Sequence, residues 1–233
     1  MYPPRRKRSH KKIYLAVILL AVLASATAAI VYYSTAGAPK PVKIGVNVGD
    51  TFTYSMKGMA TLTGIDASVP DYFYQYNATD YYRVTVTDVQ ATTVSLASEW
   101  KFLNGTIVNE NQSIDVSNGN KTNLYGFWAV YASNLGAKDL LRPTGFDGRI
   151  VNSTETTKYA DSIRPVNYFS VEEEFWDVND PTHNTLRYDN MRVYFDQETG
   201  MLTTLINYQS YNNPQMSLAI TWNLIESSVW KVK

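Results

Sequence analysis

Few residues of this 233-residue chain have side chains suited to catalysis. There is no cysteine, which removes disulfides, thiolate metal sites and cysteine nucleophiles. Of the two histidines, His10 lies in a basic N-terminal stretch and His183 stands alone beyond it. A Ser-His-Asp triad or a histidine-based zinc site would have to use His183. Its surroundings, Asn179-Asp180-Pro181-Thr182-His183-Asn184, read as a loop, and neither G-x-S-x-G nor H-E-x-x-H occurs. A solvated loop histidine is expected, and no catalytic residue is assigned. The densest acidic cluster is Glu172, Glu173, Glu174, Asp177 and Asp180. Asp177, Asn179 and Asp180 could offer oxygen ligands to Ca²⁺, but the EF-hand order and its glycine are missing. The cluster is expected to be a solvated strand end and loop, with no metal and no cofactor. Nothing selects a carboxylate pair for glycoside hydrolysis.

The most suggestive binding feature is Asp71-Tyr72-Phe73-Tyr74-Gln75-Tyr76, followed by Tyr81 and Tyr82. As a strand, it would place Tyr72, Tyr74 and Tyr76 on one face. Exposed, that stripe would stack on sugars or anchor a protein partner; buried, it is sheet core, the favoured expectation. N-x-S/T acceptors for glycosylation occur at Asn77, Asn104, Asn111, Asn120 and Asn152, three of them within the polar stretch 104–122.

The N-terminus decides where this chemistry would be displayed. Residues 1–12 carry Arg5, Arg6, Lys7, Arg8, Lys11 and Lys12, and no acid precedes Asp50. Residues 13–34 follow as an uncharged apolar run, IYLAVILLAVLASATAAIVYYS. At 1.5 Å per residue, about 20 helical residues cross a hydrocarbon core of roughly 30 Å. Basic residues stay cytoplasmic, so a transmembrane helix is expected with the N-terminus inside and residues 42–233 extracellular. A cleaved signal peptide ending at Ala24-Ser25-Ala26 is the rival, but the apolar run continues through Val31. Residues 35–41 form a short Pro-containing linker.

Six of the 21 basic residues precede residue 13, so the remaining 15 face 21 acidic residues, a net of −6. That excludes nucleic acid as the expected partner. The 18 Tyr, 8 Phe and 5 Trp favour β structure. Period-two runs are clear at Phe52, Tyr54 and Met56; at Tyr82, Val84 and Val86; at Val94, Leu96, Trp100 and Phe102; and from Met216 to Leu224. Asn104-Gly105 and Asp196–Gly200 read as hairpin turns. Leu124, Phe127, Trp128, Tyr131 and Leu135 have the spacing of one helix face, with Thr122 or Asn123 as N-cap and Gly136 after the end. A second short helix is expected over Ala137–Leu141, before Pro143. The fold class is mainly β: a strongly curved antiparallel sheet, half-barrel or sandwich-like, with a short helical insert and one preceding transmembrane helix.

Three segments carry a resemblance. They are Val46-Asn47-Val48-Gly49-Asp50-Thr51-Phe52-Thr53-Tyr54, Val193-Tyr194-Phe195-Asp196-Gln197-Glu198-Thr199-Gly200-Met201-Leu202 and Trp222-Asn223-Leu224-Ile225-Glu226-Ser227-Ser228-Val229-Trp230. Together they resemble uncharacterised archaeal membrane-anchored cell-surface proteins with a β-rich extracellular domain, over residues 42–230. The sheet is also similar to lipoprotein-carrier folds, which hold lipids in a half-barrel. The resemblance implies an archaeal envelope setting and transfers no site residue. The expected function is a non-enzymatic cell-surface protein, binding or structural, attached to the membrane through residues 13–34 and meeting envelope proteins, glycans or lipid. A second expectation is a carrier or sensor for lipid or another apolar ligand, with a pocket in the curved sheet and the helical insert as lid. An extracellular hydrolase is third.

Overall fold

A computed structural model describes residues 41–124, 126–176 and 186–233. The expected tail, transmembrane segment and linker up to residue 40 lie outside the described residues, as do Asp177, Asn179, Asp180 and His183. Among the described residues, no helix is long and apolar enough to cross a membrane.

The described strands are β1 (Thr51–Leu62), β2 (Thr79–Gln90), β3 (Thr93–Phe102), β4 (Ile107–Asp115), β5 (Ser153–Lys158), β6 (Ile163–Trp176), β7 (Leu186–Asp196), β8 (Leu202–Asn212) and β9 (Gln215–Ser227). All pair antiparallel in one sheet of order β4-β3-β2-β1-β9-β8-β7-β6-β5. The period-two runs sit where the alternation puts them. Phe52, Tyr54 and Met56 of β1, Val84 and Val86 of β2, Val94 and Leu96 of β3, and Leu218, Ile220 and Leu224 of β9 are all buried. Both expected turns form. Gly105 has φ 87° between β3 and β4, and Gly200 has φ 74° between β7 and β8.

The strand order has one consequence that shapes everything else. The chain winds outward from β1 to β4, then must reach β5 at the opposite edge before winding back to β9 beside β1. Neighbouring strands lie about 4.8 Å apart, so nine strands laid flat span roughly 40 Å. Residues 116–152 make that crossing over one face. Val116, Phe127, Val130, Tyr131, Leu135, Leu141 and Val151 are buried there, in one core cluster with the strand residues.

Among the described residues of this crossing the expected helices are absent. The N–H groups of Tyr131, Ser133 and Asn134 donate to the carbonyls of Gly200, Lys43 and Gln197 at 2.9, 2.7 and 2.7 Å. Val130 bridges Met201, and Leu140 bridges Ile150. Backbone groups thus satisfied by distant partners do not close i→i−4 bonds. Thr122, expected as a cap, instead accepts from the N–H of Ser113 in β4 at 2.8 Å. Arg142, buried and 4.6 Å above the Tyr131 ring, holds the crossing together. Its guanidinium donates to the carbonyls of Val130 (2.6 Å), Val116 (3.2 Å) and Trp128 (3.2 Å). Burial lowers its pKa from the usual arginine value, with Tyr131 and Asp147 acting the other way.

The described helix lies elsewhere, at α1 (Asp71–Asn77). It replaces the expected Tyr72–Tyr76 strand. Phe73 is buried against Gly58, where any Cβ would fall 2.7 Å from the ring, and against Leu218 and Ile220. Tyr72 and Tyr74 are left exposed, and Tyr76 turns to the same side as Phe73, its ring 6.1 Å away. A glycine on the strand and an i, i+3 aromatic pair on the helix therefore determine this packing.

Candidate functional site

The sheet face has two covers, the crossing segment and α1. Between them lies a cleft of about 310 Å³. Its floor is Tyr82 of β2, Trp100 of β3 and Trp222 of β9; Tyr76 of α1 forms one wall, and Phe127 and Trp128 form the other. Leu202 and Leu205 of β8 close the deep end, and Val108 and Glu110 of the edge strand β4 form the rim.

The floor rings are inclined to one another, while Phe127 lies nearly parallel to Tyr82, at 24°. Tyr82 meets Trp222 at 5.1 Å and 61°, and Trp100 at 6.0 Å and 69°. Phe127 is the hub of the inner end, 5.5 Å from Tyr54, 6.2 Å from Tyr82 and 6.3 Å from Trp222. Polar groups also border the cleft. The Trp100 indole N–H donates to Thr79 Oγ1 at 2.8 Å. Burial raises the Tyr82 phenol above its usual value, a hydrogen bond with Ser98 lowers it in part, and Glu110 raises it further. Burial also raises Tyr76, with Tyr72 adding to it. Glu110 is exposed at the rim, accepts from Asn123 Nδ2 at 3.1 Å, and is, among the described residues, the single charged residue lining the cleft. Gln112 donates to the Phe127 carbonyl beside the cleft, while its buried Oε1 has no partner among the described residues.

A second depression of about 400 Å³, near the β8–β9 turn, is lined by Tyr188, Tyr208 and Tyr211. It is not bounded by the crossing segment or α1, and no tryptophan lines it. The first cleft is the better candidate because rings converge on it from β2, β3, β9, α1 and the crossing segment. A pocket of this size, bordered by six aromatic side chains together with aliphatic and polar groups, suits a small organic ligand.

Of the expected binding aromatics, only Tyr76 reaches the cleft; Tyr72 and Tyr74 face outward. Glu172 and Glu173 lie exposed on β6, where Glu172 accepts from Asn190 at 2.8 Å and Glu173 pairs with Arg149 at 2.9 Å. Among the described residues, no group of three or more His, Cys, Asp or Glu side chains could hold a metal ion. Sequence reasoning assigned Tyr82, Trp100 and Trp222 to strands without linking them. Their shared burial parity was the one available signal.

The N-x-S/T acceptors separate into two kinds. Asn104 lies in the β3–β4 turn, Asn111 in β4, Asn120 just beyond β4, and Asn152 just before β5. All four are exposed and mark the two outermost strands. Asn77 is different: its Nδ2 donates to the Gly58 carbonyl at 2.9 Å and its Oδ1 accepts from the Gly58 N–H at 3.0 Å.

No protein-family model matches the chain. No curated protein matches it.

Proposed function

We propose that this chain is a non-enzymatic, membrane-attached binding protein of the cell surface, and that its outer domain holds a small organic ligand in the aromatic cleft. The observation that carries the binding reading is the cleft itself: rings from five separate elements border one space, and a core built only for stability would close it. The sheet is read as a strongly curved half-barrel, supported by the convergence of Tyr54, Tyr82 and Trp222 on Phe127. Attachment through residues 13–34, N-terminus inside, is supported by the uncharged run and the basic cluster before it. The three resembling segments favour an archaeal envelope protein.

Glycans on Asn104, Asn111, Asn120 and Asn152 belong to this reading. The β4 edge presents Leu103, Ile107 and Val108 at 70%, 48% and 41% exposure. Open apolar edges invite pairing with another chain, and bulky sugars beside them would prevent it. Asn77 is excluded, because glycosylating its Nδ2 would disrupt the Gly58 contact.

Mass spectrometry of the full chain purified from its own membranes tests these parts together. The expected result is a protein that retains residues 2–26, carries sugar on one or more of the four edge asparagines and none on Asn77, and releases a small molecule on denaturation. An N-terminus at Thr27 in the soluble fraction would overturn the anchor. Sugar confined to Asn77 would overturn the edge assignment. A chain without any small molecule, whether natively bound or taken up from a cell extract, would overturn the binding reading.

A further inference from the structure

We propose that the ligand of the aromatic cleft is a small organic cation, an alkylated or quaternary ammonium group, held against the ring faces with Glu110 as its counter-charge. This rests on reading the cleft as a ligand site.

Four observations narrow the ligand. The first is charge. Among the described residues, Glu110 is the one charged residue of the lining, and no lysine, arginine or histidine borders the space. A fatty acid, phosphate or other anion would enter without a partner and against a carboxylate. The second is ring geometry. Tyr82 stands at 61° to Trp222 and 69° to Trp100, so the floor is an angled corner. Tyr82 and Phe127 are near-parallel at 24°, but with centroids only 6.2 Å apart they leave no room for a flat ring between them; a compact tetrahedral group touches several inclined faces at once. The negative ring faces attract such a cation within about 6 Å of each centroid.

The third is hydrogen bonding. A sugar must pair several hydroxyls when buried. Here the Trp100 N–H donates to Thr79 and the Ser98 hydroxyl pairs with Tyr82. A quaternary ammonium has no N–H and needs no such partners. The fourth is size. About 310 Å³ accommodates one compact head group and is small for a two-chain lipid. Glu110 at the exposed rim and rings at the depth give the entry a direction, with the charge met first and the faces second.

The test uses the full chain in a neutral maltoside detergent, which carries no ammonium group. Tryptophan fluorescence and calorimetry follow titration with choline, tetramethylammonium and 3,3-dimethylbutan-1-ol, the uncharged shape analogue of choline. The cations are expected to bind at least about tenfold more tightly than the alcohol. Glu110→Gln, at an exposed position, should weaken the cations about tenfold and leave the alcohol unchanged. Trp100→Ala should abolish binding of all three, with circular dichroism confirming the fold. Equal affinity for cation and alcohol, with no effect of Glu110→Gln, overturns the cation assignment but keeps the cleft as a ligand site. No binding of any probe at millimolar concentration overturns the cation assignment; the binding reading itself falls only if mass spectrometry also finds no small molecule.

Discussion

Over β6, β7 and β8, the crossing segment and the sheet interlock. Tyr131 stacks on Phe195 at 4.4 Å and meets Phe169 edge-on at 5.6 Å, and all three are nearly fully buried. Over β2, β3 and β9, equally large rings stand around a cleft, and Trp100, Trp128 and Trp222 stay half-buried. The residue types are alike; the anchoring of the cover differs. Above β7 and β8 the crossing backbone is tied to Gly200, Gln197 and Ala129–Leu202, and Arg142 binds three of its neighbouring carbonyls. A cover fixed by backbone bonds brings its side chains into contact. Between the two covers the rings below are only partly covered, and space for a ligand remains.

The largest expected effect comes from truncating one ring in each half. Phe195→Ala should cost about 3–5 kcal/mol, since it opens a void in a filled region. Trp100→Ala, beside a space already open, should cost less than half of that. Urea denaturation of both variants measures the difference; similar losses would mean that the cleft region is as closely packed as the rest.

Next in size is Arg142→Met, which keeps the apolar stem and removes the donors. It leaves the carbonyls of Val116, Trp128 and Val130 without their partner, and about 3 kcal/mol should be lost, a Tm fall of roughly 10 °C. Loss of under 1 kcal/mol would show that side-chain packing alone holds the crossing in place.

The smallest effect is pH-dependent and sits where the crossing begins. Burial raises the Asp115 carboxyl, but hydrogen bonds from Ser117, Thr92 and Asn118 outweigh it, so its pKa is lowered overall. A folded pKa below the unfolded one adds stability above the unfolded value, near 3.9, and that stability is lost as pH falls through the depressed folded value. Asp115→Asn should therefore lower Tm by a few degrees at pH 6, with the gap to the parent closing toward pH 2.5. A gap that stays constant across that range would remove Asp115 as the source.

The sequence by itself determined the strands and their turns. Phe52-x-Tyr54-x-Met56 and Met216 through Leu224 alternate because a half-buried strand shows one face to the core, a rule local to each run. Asn104-Gly105 and Gly200 mark hairpins because positive φ is cheap for glycine. Only the tertiary structure decided the rest. The spacing of Phe127, Tyr131 and Leu135 fits a helix, yet their backbone pairs with Gly200, Lys43 and Gln197, partners that no local window contains. The alternation at Tyr72, Tyr74 and Tyr76 fits a strand, yet Gly58 leaves a hollow that Phe73 fills from a helix. The cleft was least legible of all, because it is the space left between two covers. Their positions follow from the strand order, and strand order depends on which distant edges the chain must join.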